Sequence, residues 1–145
     1  MMPYISMADI TGMIPRKFLI EGLDDDGDGE AEAATINQVL EQASGMVDAL
    51  LEGRYATPFS NPLPKVVCEA AKVFACELIY QRRGTPADQN PWTKQASQYR
   101  DPVSGMLTKI AAGTMPLYPT IQRADASAVA ITGASKAASK TGLST

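Results

Sequence analysis

The side chains of this sequence best equipped for chemistry are its acids. Seven of the sixteen (Glu21, Asp24, Asp25, Asp26, Asp28, Glu30 and Glu32) fall in one twelve-residue stretch, so the rest of the chain is near neutral to mildly basic within a formal net charge of -3. Asp24-Asp25-Asp26-Gly27-Asp28-Gly29-Glu30-Ala31-Glu32 follows the first two thirds of the D-x-D-x-D-G calcium loop. Asp24, Asp26 and Asp28 occupy the first, third and fifth positions, and Gly29 the sixth, where the chain must turn sharply. Glu30 is placed to offer its carbonyl, and Glu32 to act at the ninth position. Carboxylates held this close repel one another unless a cation neutralises them or solvent screens them. The twelfth position, however, is Thr35 where the pattern requires a bidentate glutamate, a loss that weakens affinity and admits extra waters. Two readings follow: a structural calcium-type site that stiffens the turn, or a solvated acidic turn whose Thr35 caps the next helix.

Other chemistries lack their parts. Histidine is absent, which removes the commonest general base and the commonest transition-metal ligand. The sequence contains no GxGxxG, no P-loop and no GxSxG, and no nucleophile is paired with a base. The expectation is a protein that is not an enzyme and requires no cofactor. Cys68 and Cys76, eight residues apart on one expected helix, are separated by about 12 Å, too far for a disulfide. They read as small core residues in a reducing compartment. No run of eighteen apolar residues exists, and Met-Met-Pro-Tyr-Ile-Ser lacks the basic start and apolar stretch of a signal peptide. The product is therefore expected to stay inside the cell that makes it, with no membrane partner.

The elements that must position the acidic stretch are helical. Ser6-Met7-Ala8-Asp9 has the form of a capping box, predicting a short helix from about Met7, and Pro15 can open a second through Phe18, Leu19 and Leu23. From Thr35, the positions Ile36, Val39, Leu40, Ala43, Val47, Leu50 and Leu51 keep one helix face apolar. Gly53 follows the last repeat and Pro58 blocks continuation, so Arg54-Tyr55-Ala56-Thr57-Pro58 reads as an ordered turn. A third major helix, from Leu63 or Pro64 to Arg83, is apolar around more than half its circumference, as in a central helix contacted on two sides; Gly84 stops it. Helical spacing resumes through Trp92, Ala96, Tyr99, Val103, Met106, Leu107 and Ile110 to Gly113, with Pro102 kinking or splitting the pattern near Asp101. Beyond Pro116 and Pro119 the chain is Ala, Ser, Thr, Gly and Lys with scattered aliphatics, the composition of an arm. The expected architecture is an all-α bundle of about four to five helices over residues 1–117, with an extended C-terminal arm over 118–145.

The order of these parts resembles the head-to-tail adaptor, or head-completion, proteins of Mu-like and related tailed phages and prophages. The resemblance covers roughly Tyr4 to Leu117. It is carried by the opening Tyr-Ile-Ser-Met-Ala-Asp-Ile, the Asp/Gly-rich turn at Asp24 to Glu30, and Ala43-Ser44-Gly45-Met46-Val47-Asp48-Ala49-Leu50-Leu51. It continues in Gly53-Arg54-Tyr55-Ala56-Thr57-Pro58-Phe59, Pro62-Leu63-Pro64, Leu78-Ile79-Tyr80-Gln81-Arg82-Arg83 and Ile110-Ala111-Ala112-Gly113. The Arg54-Tyr55-x-x-Pro58 turn after a Leu-Leu helix end is its most specific element. Pro102 and the long Ala/Ser/Thr tail depart from the family pattern. What the resemblance implies is a virion protein of the phage neck, assembled in the bacterial cytoplasm. It would form a dodecameric ring between the portal protein and a tail-side neck or tail terminator protein, with double-stranded DNA passing through the lumen and no catalysis.

Candidate contacts for such a ring are Arg54, Tyr55, Arg82 and Arg83 in the helical region, and Ile121, Val129 and Ile131 in the arm. For the four in the helical region a structural reading stands beside the functional one. Tyr55 can pack under its turn while Arg54 caps the preceding helix, and scattered basic residues such as Arg82, Arg83, Lys94 and Arg100 are commonly a solvated face. A small calcium-responsive helical binding protein is the alternative function, and would require the Asp24 to Thr35 loop to bind calcium with a conformational change.

Overall fold

The computed structural model describes residues 2–118, and among them every regular element is helical. The helices are α1 (Met7–Thr11), α2 (Arg16–Leu23), α3 (Ala33–Leu51), α4 (Lys65–Arg82), α5 (Thr93–Arg100) and α6 (Met106–Ala112), with a 3-10 turn at Ala87–Gln89. All lie in one compact unit, Met1–Met115. The expected arm, including Ile121, Val129 and Ile131, lies outside the described residues apart from Tyr118. None of the described helices is long and apolar enough to cross a membrane.

The all-α expectation holds, with six α-helices among the described residues rather than about four to five. Pro102 is the main reason, because it divides the last expected helix into α5 and α6. At the break the Asp101 Oδ1 accepts the backbone N–H groups of Val103 (2.8 Å) and Ser104 (2.9 Å), which lowers the Asp101 pKa. Its carbonyl accepts the Gly105 N–H at 3.0 Å and the Thr108 hydroxyl at 2.6 Å. A Cβ at Gly105 would come within 2.6 Å of the Asp101 backbone, so this joint needs glycine.

Helix α4 is central, packing against α1, α2, α3 and α5, while α3 and α5 also contact α6. Every residue from Val73 to Tyr80 is buried, the all-round burial that its wide apolar face predicted. Phe74 and Ile79 join Leu23, Leu51, Leu107 and Ile110 in the sealed core, each burial of that size being worth about 1.5–3 kcal/mol. Gly84 ends α4 in a left-handed conformation (φ 91°), where its N–H reaches the Gln81 carbonyl and the Thr85 N–H reaches that of Tyr80. Gly53 does not play this part for α3. The chain leaves instead through a turn in which the N–H groups of Arg54 and Tyr55 both point to the Leu51 carbonyl.

Two polar devices tie the bundle. The Tyr4 N–H donates to the Ser44 hydroxyl at 3.0 Å, and its phenol donates to Asp48 at 2.5 Å while accepting the Phe59 N–H at 2.9 Å. Burial and the Asp48 hydrogen bond push the Tyr4 pKa up to about 12. Near the other end of α4, the Glu77 carboxylate is buried (2% exposed) and takes both arms of the Arg100 guanidinium. The Asn90 amide donates to the Glu77 carbonyl at 3.1 Å, fixing the loop before α5.

Candidate functional site

The acidic stretch is the connection between α2 and α3, and its turns are written by its own side chains. Asp24, the C-cap of α2, accepts three backbone N–H groups: those of Gly27 (2.8 Å) and Asp28 (3.2 Å) on Oδ1, and that of Gly29 (2.7 Å) on Oδ2. Asp26 accepts from Asp28 at 3.0 Å, and Asp28 from Glu30 at 2.9 Å. Gly27 and Gly29 both take positive φ (78° and 87°), the left-handed backbone that side-chain-bearing residues rarely adopt. From the far side, Glu32 closes the loop by accepting the N–H groups of Asp25 (3.2 Å) and Asp26 (3.0 Å).

This folding brings oxygens of Asp24, Asp26, Asp28 and Glu32 within 4.8 Å of one another. Four of the five expected ligands therefore converge, and the carboxylate of Glu30 is not among them. Desolvation opposes ionisation of Asp24, but the N–H groups of Gly29 and Gly27 outweigh it and lower its pKa. Asp26 goes the other way. The Asp28 N–H favours its charged form, yet hydrogen bonding with Glu32, desolvation and the neighbouring Asp24 together raise it. Crowded carboxylates of this kind offer hard oxygen ligands of the type that calcium takes.

Thr35 does not cap α3, and its hydroxyl touches the cluster only at Glu32 Oε1, 3.4 Å away. The helix starts two residues earlier, at Ala33, with Glu32 as N-cap, and the buried Thr35 hydroxyl donates to Asp25 Oδ2 at 2.8 Å. The other oxygen of Asp25 accepts from Arg82 Nη2 at 2.6 Å, and Arg82 Nε donates to the Gly22 carbonyl at 2.7 Å. Asp25 thus stands apart from the converging acids and ties the loop to α3 and to the last turn of α4.

Both arginines at the end of α4 are engaged within the chain. Arg83 pairs with Glu21 at 2.9 Å, donates to the Thr85 hydroxyl and lies 3.8 Å over the Phe18 ring. Arg54 is exposed and does not cap α3; its guanidinium lies against Gly113, at the end of α6, about 3 Å from where a Cβ would stand. Tyr55 is half-buried, its ring 6.4 Å from that of Phe59. The pairing of Glu77 with Arg100 and the fixing of Asp25 by Arg82 had no signal in the sequence, since each joins residues far apart in the chain.

Fold and loop define a small helical domain with an acidic, self-capped connection between its second and third helices. The chain belongs to the family described as Bacteriophage Mu, Gp36, whose pattern matches residues 4–132. It is a member of a bacteriophage protein family. No curated protein and no solved structure matches it.

Proposed function

We propose that this chain is a structural virion protein of the phage neck, a ring adaptor between portal and tail through which DNA passes, with no catalytic role. The observation that carries the reading is membership of a bacteriophage Mu family over residues 4–132, joined to the resemblance of its ordered motifs to head-to-tail adaptors. The Arg54-Tyr55-x-x-Pro58 turn supports it: Arg54 stays exposed at the junction of α3 and α6, available to a neighbouring subunit. Its partners are further copies of itself, the portal protein on one side, and a tail-side neck or tail terminator protein on the other. Cosedimentation of the purified chain with portal particles tests this: a saturable complex supports it, and no association at any concentration contradicts it.

A second reading, the small calcium-responsive binding protein, is favoured by the convergence of Asp24, Asp26, Asp28 and Glu32. Within the adaptor the same loop would hold a structural divalent cation. Calorimetric titration with calcium separates the possibilities: no heat of binding removes the cation from both, and binding with a large change in circular dichroism favours the responsive protein.

A further inference from the structure

We infer that the N-terminal turn of α2 and the acidic loop after it are the two faces of a head-to-tail contact between copies of this chain. The inference rests on the ring reading above and names the surfaces that would build it.

The charges on α2 run against its backbone. A helix is partially positive at its N-terminus and negative at its C-terminus, so acids early and bases late are each worth about 0.3–1 kcal/mol. Helix α2 has the reverse: Arg16 and Lys17 open it, no acid stands in its first turn, and Asp24 caps its C-terminal end. Both cations are exposed, and among the described residues neither makes a salt bridge. Of the carboxylates from Asp24 to Glu32, Asp25 is the one held in a salt bridge.

Eight residues at 1.5 Å each put these patches about 12 Å apart along one short rod. A second copy that sets its Arg16 and Lys17 against the first copy's Asp28 and Glu30 relieves both the reversed dipole and the crowding of the acids. Each copy then offers its free patch to the next. Such a contact joins two different surfaces, and it closes into a ring when the rotation between copies divides a full turn. Complementary charge also sets partner register and speeds encounter, and both effects weaken with salt.

Sedimentation velocity of the full chain, in chelator and at low salt, tests the contact with two charge-reversed variants, Arg16→Glu/Lys17→Glu and Asp28→Lys/Glu30→Lys. The wild type is expected to form species larger than a dimer, each variant to associate about tenfold or more weakly, and an equimolar mixture of the two variants to regain association. The milder Arg16→Gln/Lys17→Gln variant, checked by its melting temperature, guards against misfolding and should weaken association to a lesser degree. Folded variants that assemble like the wild type, or a mixture that regains nothing, overturn this contact while leaving the ring reading standing. Wild type that stops at a dimer overturns the head-to-tail geometry. Wild type that stays monomeric and also ignores the portal overturns both.

Discussion

Arg82 joins three elements by a single guanidinium: from the last turn of α4 it donates 2.7 Å to the Gly22 carbonyl of α2 and 2.6 Å to the Asp25 carboxylate of the acidic loop. Helix ends leave carbonyls without partners inside the helix, and Arg82 satisfies one of these on α2. Replacing Arg82 with Ala should cost about 1–2 kcal/mol, a sum of one lost charge-assisted hydrogen bond and a half-exposed ion pair. Arg82→Lys should recover a minority of that, because an ammonium lacks the planar fork that serves both acceptors. Urea denaturation of the two variants gives the comparison.

Gly22 marks the closest approach of α2 to α4. A Cβ there would lie 2.7 Å from the Ile79 carbonyl oxygen and 2.8 Å from its Cγ2, and the carbonyl belongs to a buried helix that cannot step aside. Gly22→Ala should therefore destabilise by about 1–3 kcal/mol despite alanine's better helix propensity. A melting temperature equal to or above that of the wild type would refute this packing.

The Glu77–Arg100 pair has one partner sealed in the core and the other 31% exposed. Arg100→Ala leaves a buried carboxylate without its cation and should cost about 3 kcal/mol. Glu77→Leu with Arg100→Leu should restore much of that stability, since apolar replacements of a buried pair remove the unmatched charge. Chemical denaturation of the single and double variants decides it.

Tyr4 supplies a pH signature. Its folded pKa, raised to about 12 from 10.0, means that its contribution is fully present below pH 10 and is lost as pH climbs toward 12. Tyr4→Phe should be less stable than wild type at neutral pH, and the gap should shrink across that alkaline window. A gap independent of pH between 10 and 12 would show that the phenol is not held as described.

Helix identities were legible where periodicity carried them: the apolar faces of α3 and α4, the Ser6–Asp9 box of α1 and the break at Pro102 all follow from local rules. Gly84 was equally plain. The end of α3 was not, because Gly53 sits in a turn closed by two N–H groups on the Leu51 carbonyl, an alternative that no single residue type announces. In the loop, the spacing of Asp24, Asp26, Asp28 and Glu32 anticipated their convergence. It gave no hint that Asp25 and Thr35 would turn to Arg82 and to each other, because that choice depends on where α4 ends in space. Likewise Arg82, Arg83 and Arg100, open cations to a reader of the sequence, are each held by an acid more than twenty residues away.

The neck assignment is tested most directly by cryo electron microscopy of the purified chain mixed with its portal. The expected result is a symmetric ring of helical subunits seated on the tail-facing end of the portal, coaxial with its channel. A chain that remains a monodisperse monomer beside bare portals would contradict it, leaving the helical fold intact and the neck role withdrawn.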